Sequence, residues 1–315
     1  MKTIRIAVPD LVSNSYFPAL AAIELGCFRD EGLDSRLDHI FPSPKAFAAL
    51  RDGMVDLVAA PAHALLSAFP EWHGVKLLAA LAQGTYWLLV LRADLKATPG
   101  DVNAIKGRRI GAAPMVDLAL RQLCIDSGLD LVRDKVDIVP VPRANDPGVS
   151  FGIAAAQALD EGSIDGFWAN GLGAEYAVRS GKGDIILDVR RGLGPSVAFH
   201  YTFPAVAASD RLIVAEPDLV GRAVRAIVRA QHMLRADISL ASVVGRKLFP
   251  TAEAEYIEAV VTRDLAYYSA EISPQTIDGI IRFSQACGLL KGTPSREDIV
   301  AMPFSHLWGE AGLQT

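Results

Sequence analysis

Apolar and polar residues follow two different periods along the first third of the chain. Residues 4–8 (Ile-Arg-Ile-Ala-Val) alternate with a period of two and predict a short strand. Residues 17–30 repeat their apolar positions at helical spacing and stop before Gly32, a residue suited to the left-handed turn that ends a helix. A strand over 34–39 comes next. Ser43 as N-cap and Pro44 in the first turn then open a helix that ends near Gly53. A third strand over 55–59 leads into a helix over 62–69, and strands follow over 75–82 and 86–92. After Pro99-Gly100-Asp101 a second series begins: strand 109–111, helix 116–127, strand 136–141, helix 151–161, strands 164–168 and 184–188, and an extended run over 199–207. From Pro217 the pattern is wholly helical, over 219–236, 239–248, 252–265 and 274–288. Strands alternating with helices predict a parallel sheet covered on both faces. The likeness of the two series predicts two similar lobes. Lobe I is expected to comprise 1–90 and 204–315, and lobe II 91–203, so that the chain crosses between them twice.

Composition narrows the function classes. The hydrophobic fraction is 51% against 21% charged, which supplies real cores and excludes a disordered chain. A net charge of −5 with no basic stripe excludes nucleic acid as a partner. Arg222, Arg225, Arg229 and Arg235 recur at near-helical spacing and read as a solvated face. Cys27, Cys124 and Cys287 lie far apart with no CxxC pair, and no two histidines have H-x-x-x-H spacing, so no disulfide framework or metal site is expected. No apolar stretch reaches the ~18–20 residues of a membrane span, so membrane insertion is not expected. Met1-Lys2-Thr3 runs straight into the first strand, which reads as cytoplasmic as written, or periplasmic if an export leader has been removed.

Several residue blocks resemble a known family. Asn14-Ser15-Tyr16-Phe17-Pro18-Ala19, followed by Gly26-Cys27-Phe28-Arg29-Asp30-Glu31-Gly32-Leu33-Asp34, resembles the opening of solute-binding proteins of the nitrate, sulfonate and taurine type. The same pattern opens the thiamine-pyrimidine synthase-like (NMT1/THI5-like) proteins. Asp52-Gly53 with Val55-Asp56, Lys106-Gly107-Arg108-Arg109-Ile110-Gly111, and Ile164-Asp165-Gly166 with Trp168 resemble later blocks of the same family. The resemblance implies an α/β fold of periplasmic-binding-protein type II, with a ligand cleft between two lobes and two hinge strands. It implies binding of one small organic molecule, aromatic or anionic, by the substrate-binding component of an ABC-type transporter with a permease as partner, or by a cytosolic relative. No cofactor is expected. The pyridoxal-phosphate lysine and cysteine-rich motif of the pyrimidine synthases have no counterpart, since Val58-Ala59-Ala60-Pro61-Ala62 offers no lysine. The fold is also similar to that of an aromatic sulfinate desulfinase whose nucleophilic cysteine lies in the first loop. Ser15 occupies that place here, and a serine needs a base to act as nucleophile.

In open α/β sheets, ligands sit beyond the carboxyl ends of the strands, where helix N-termini point N–H groups outward. That rule selects Ser13, Asn14, Ser15 and Tyr16 after the first strand, His39 and Ser43 after the second, and His63 after the third. In the second series it selects Pro114, Met115, Trp168 and Asn170. Polar turns with capping side chains, a satisfied core histidine and a sheet-closing tryptophan are the plain alternatives. The hinge segments add Tyr86 and Trp87, of which one faces the cleft if faces alternate, and His200 and Tyr201. An indole with an amide two residues on, as in Trp168 and Asn170, suits a flat ligand with a polar edge. Arg143, Arg190 and Arg191 lie near strand ends and read as surface salt-bridging groups. The competing reading is a cytosolic enzyme on the same scaffold, a lyase, desulfinase, hydrolase or pyrimidine synthase, with His63 or His200 as general base.

Overall fold

The computed structural model describes residues 1–146 and 149–309. The chain forms two units, one from Met1–Gly84 with Thr202–Thr315 and the other from Thr85–Tyr201. Positions 310–315, expected in lobe I, lie outside the described residues. The first unit begins with β1 (Lys2–Val8), α1 (Phe17–Glu24), α2 (Cys27–Asp30), β2 (Leu33–His39), α3 (Ser43–Arg51), β3 (Leu57–Pro61) and β4 (Val75–Ala80). The second holds β5 (Leu88–Arg92), β6 (Arg109–Ala112), α4 (Val116–Asp126), β7 (Asp137–Val139), α5 (Phe151–Asp160), β8 (Gly166–Ala169), α6 (Gly171–Arg179) and β9 (Gly183–Asp188). The chain then returns to the first unit as β10 (Pro204–Ser209), α7 (Asp210–Ala215), α8 (Pro217–Ala236), α9 (Ser239–Leu248), α10 (Thr251–Asp264) and α11 (Pro274–Ala286).

The two sheets share one topology. Their strand orders are β2-β1-β3-β10-β4 and β7-β6-β8-β5-β9. Neither sheet is wholly parallel, contrary to the expectation from the strand–helix alternation. In each, the fourth strand runs against its neighbours: β10 is antiparallel to β3 and β4, and β5 to β8 and β9. Both are the first strand after the chain changes unit. Such a strand has no crossover helix to carry it back to the amino edge, so it enters at the carboxyl edge and must run the other way. Pro204 accordingly starts opposite Pro61, and Leu88 opposite Ala169 and Asp188. The expected boundary at 90/91 would cut β5, whereas the chain changes unit before Thr85 and again before Thr202.

Local differences have local causes. The helix expected over 17–30 breaks at Gly26, which sits at φ 84° between α1 and α2. Ser43 is the first helical residue of α3 and not its cap; Pro42 holds the capping position and offers no side-chain acceptor. The helix expected over 62–69 is a 3₁₀ turn, Ala62–Ser67, and the extended run expected over 199–207 begins as another, Ser196–His200. The arginine stripe of α8 is not simply solvated. Arg225 bonds the Glu31 carboxylate at 2.8 Å, and Arg229 bonds Glu31 at 3.1 Å and Asp30 at 3.4 Å, tying α8 to α2. The core of the first unit lies between such helices and a sheet whose strand β3 is buried along its whole length. Among the described residues, no helix is long and apolar enough to cross a membrane.

Candidate functional site

In the first unit β1, β2 and β3 run parallel, so their carboxyl ends share one edge. The loop after β1 leaves that edge as Ser13, Asn14, Ser15 and Tyr16, all buried. It is held from within and from far along the chain. The Ser15 N–H donates to Ser13 Oγ at 3.2 Å. The Asn14 amide nitrogen donates to the Asp264 carboxylate at the end of α10, and the Tyr268 hydroxyl donates to the Asn14 carbonyl at 2.6 Å. The segment after α10 is itself pinned to the same edge, through Gln83 N–H to Tyr267 O at 2.8 Å and Ala80 N–H to Ala270 O at 2.9 Å. Two polar atoms of the loop, Asn14 Oδ1 and Ser15 Oγ, are sealed from solvent with no hydrogen-bond partner. Leaving such an atom unpaired costs about 1–3 kcal/mol. The helices that start at this edge, α1 and α3, both lack a side-chain cap, which leaves their first-turn amides to other acceptors.

His39 and Ser43 stand at the same edge. The His39 ring nitrogen Nε2 pairs with the Pro9 carbonyl at 3.2 Å and so braces the first loop, while Ser43 is buried in the first turn of α3. His63 follows β3 and is wholly buried. Its Nδ1 pairs with Thr202 Oγ1 at 2.9 Å, and its ring meets Phe283 edge-on at 5.2 Å between centroids. This histidine ties the returning chain to β3.

The second unit repeats the arrangement with different chemistry. Tyr86 and Trp87 precede β5 and do not belong to it, so strand alternation does not separate them. Their rings lie 4.6 Å apart, and Trp87 reaches Trp168 at 6.3 Å. The Trp168 indole nitrogen is buried without a partner. Arg190, one of the three arginines read as surface groups, is buried, with its guanidinium carbon 5.6 Å from the Tyr86 ring centre. Arg143 and Arg191 do form the expected ion pairs, with Glu161 at 2.5 Å and Asp188 at 2.6 Å. Asn170 is a helix cap: its Oδ1 accepts from the Leu172 and Gly173 amides at 3.2 and 3.4 Å. The Tyr201 hydroxyl donates to the Asp126 carboxylate, and His200 packs edge-on against Phe199 at 5.0 Å. Pro114 and Met115 line a separate groove of about 330 Å³ with Leu118, Ile138, Val139 and Pro140. Met115 holds φ 71° at the uncapped start of α4.

Thiol chemistry has no support at either edge. Burial pushes the Cys27 thiol up to about 11 and Cys124 up to about 12, so both stay protonated. Among the described residues, no three histidine, cysteine or acidic side chains are grouped to hold a metal ion.

A sequence model described as NMT1/THI5 like matches residues 13–237, from the first loop to the end of α8. The chain belongs to the NMT1/THI5-like family. No curated protein sequence matches it. Solved structures do. A Bordetella bronchiseptica RB50 protein has a TM-score of 0.79 at 17% identity, covering 99% of this chain and 98% of its own. The alkanesulfonate-binding protein SsuA from Xanthomonas axonopodis pv. citri, bound to MOPS, has 0.68 at 17%, covering 96% and 98%. The desulfurization enzyme DSZB has 0.63 at 17%, covering 97% and 98%. At these identities the likeness is one of fold, the two-lobe α/β fold of periplasmic binding proteins. In this NMT1/THI5-like chain three residues that the strand-end rule did not select contact the candidate residues. Asp264 and Tyr268 reach the first loop from the helical C-terminal region, and no local pattern marks them. Arg190 stood among the candidates, but its place over Tyr86 depends on a ring about a hundred residues away in sequence.

Proposed function

We propose that the chain binds one small organic anion and performs no chemistry on it. The observation that carries the reading is the first loop of the first unit. It is a fully buried polar turn whose Ser15 hydroxyl is unpartnered and can donate to an anion, beside two helix starts without side-chain caps. Helix starts favour negative charge. Within the second unit taken by itself, the buried Arg190 and the rings of Tyr86, Trp87 and Trp168 also suit a flat anion such as an aromatic sulfonate or carboxylate. Sulfonate-binding proteins are among the similar structures, which makes sulfonates the first ligands to try. On this reading the protein serves as the substrate-binding component of an ABC-type transporter, outside the cytoplasm, or as a cytosolic relative without a permease.

Isothermal titration with benzenesulfonate and ethanesulfonate, with each ligand quantified afterwards, tests the reading. One-site binding with the ligand recovered intact is expected. Ser15→Ala should weaken it about tenfold, the loss of one buried hydrogen bond. Consumption of the ligand would refute the reading in favour of an enzyme with His63 or His200 as base.

A further inference from the structure

We infer that Asp264 is a specificity-determining residue of this site, acting through Asn14 to demand a hydrogen-bond donor from the ligand. The inference rests on the binding reading above and deepens it. An asparagine amide can present either its oxygen or its nitrogen to a ligand, and what faces its other side decides which. Here the other side is a carboxylate. Asp264 is 4% exposed and accepts from Asn14 Nδ2. A carboxylate oxygen only accepts, so it would repel Asn14 Oδ1, and the amide has one stable orientation. The main chain of Asn14 is fixed as well, by the Tyr268 hydroxyl on its carbonyl at 2.6 Å. The amide oxygen that remains is buried and unpartnered in a residue 1% exposed.

Consequently the first loop offers the ligand a fixed acceptor at Asn14 and a hydroxyl at Ser15 that can act in either sense. A bare sulfonate or carboxylate, all acceptors, leaves Asn14 Oδ1 unpaired. A ligand that also carries an N–H or O–H group satisfies it as the loop admits the ligand. Discrimination is strong in this sense, because a buried polar group left unpaired costs more than a paired one gains.

The test compares benzenesulfonate with its three amino isomers, orthanilate, metanilate and sulfanilate, by isothermal titration. The wild type is expected to bind at least one isomer about tenfold or more tighter than benzenesulfonate. In Asp264→Asn the partner can donate as well as accept, the Asn14 amide is free to turn, and the ratio is expected to fall below about threefold. Tyr268→Phe loses the bond to the Asn14 carbonyl while keeping the ring. It should shift all affinities together and leave the ratio, which separates specificity from mere support of the loop. If Asp264→Asn does not fold, Asn14→Leu takes its place, with the same loss of ratio expected. Equal affinity of all four probes for the wild type overturns the inference and leaves the binding reading standing. A preference that persists in folded Asp264→Asn or Asn14→Leu also overturns it. Binding of none of the four removes the sulfonate reading, and the inference falls with it.

Discussion

Gly173 sits in the first turn of α6, directly below the Asn170 cap, where α6 meets the start of α5. A Cβ added there would lie 2.5 Å from the Gly152 carbonyl oxygen, 2.7 Å from its Cα and 2.8 Å from its carbonyl carbon. These atoms belong to the backbone, so no rotamer change relieves them. Ordinary contact needs about 3.5 Å, and the two helices would have to part by about 1 Å. Overpacking of this kind costs about 1–3 kcal/mol, against which the helix preference of alanine over glycine returns about 1 kcal/mol at most. Gly173→Ala is therefore expected to destabilise the second unit by about 1–2 kcal/mol. Gly221→Ala is the matched control. Gly221 is buried inside α8, and its nearest neighbours, atoms of Phe304 and Leu307, would be 3.7–3.9 Å from the new methyl. There the helix preference and the added contact act together, and stabilisation of up to about 1 kcal/mol is expected. Urea unfolding followed by circular dichroism and fluorescence reads both, with Trp87 and Trp168 reporting on the second unit and Trp72 and Trp308 on the first. A Gly173→Ala protein as stable as wild type, or a Gly221→Ala protein destabilised as much as Gly173→Ala, would refute the packing argument.

Asn170→Ala should cost about 1 kcal/mol through the lost cap on α6 while Asn170→Asp retains stability, and equal loss in both would show that the cap is not what Asn170 contributes. In native protein at mildly alkaline pH, a thiol reagent should modify Cys287, which is half-buried, and leave Cys27 and Cys124 untouched until denaturant is added, because burial holds their thiols at about 11 and 12. The Arg133 guanidinium, with the Asp130 amide, holds the Asp134 carboxyl down at about 2, below its ordinary value of about 3.9. Its contribution is therefore present above that ordinary value and lost as pH falls toward 2. Asp134→Asn should flatten the acid limb of the stability curve there, and an unchanged limb would contradict the assignment.

The fold could be read from the sequence where local rules suffice. Strands such as β1 and helices such as α9 declare themselves by period, and the second series of strands and helices declares the second unit. The direction of β5 and β10 does not follow from any period. It is set by which edge the chain reaches when it changes unit, a property of the whole path. Gly26 shows the opposite case. Its φ of 84° breaks a continuous apolar stripe into α1 and α2, and the glycine was visible in the sequence, but the stripe alone outweighed it.

At the site, the strand-end rule finds positions and says nothing about which atoms are already spent. Asn170 and Asn14 both follow a strand, and both are amides in polar turns. The oxygen of Asn170 is taken by the Leu172 and Gly173 amides two and three residues on, a cap that the sequence pattern Asn-Gly-Leu-Gly already permits. The oxygen of Asn14 is left over because its nitrogen is engaged by a carboxylate 250 residues away. The same holds for the aromatic group. Trp168 and Asn170 look like neighbours in one ligand wall, yet the tryptophan faces Trp87 while the asparagine turns back onto α6. On the proposed reading, a long-range partner decides the chemistry at Asn14, because Asp264 consumes the nitrogen half of its amide. The bare oxygen that remains at Asn14, with the bare hydroxyl of Ser15, would then specify what a ligand has to bring.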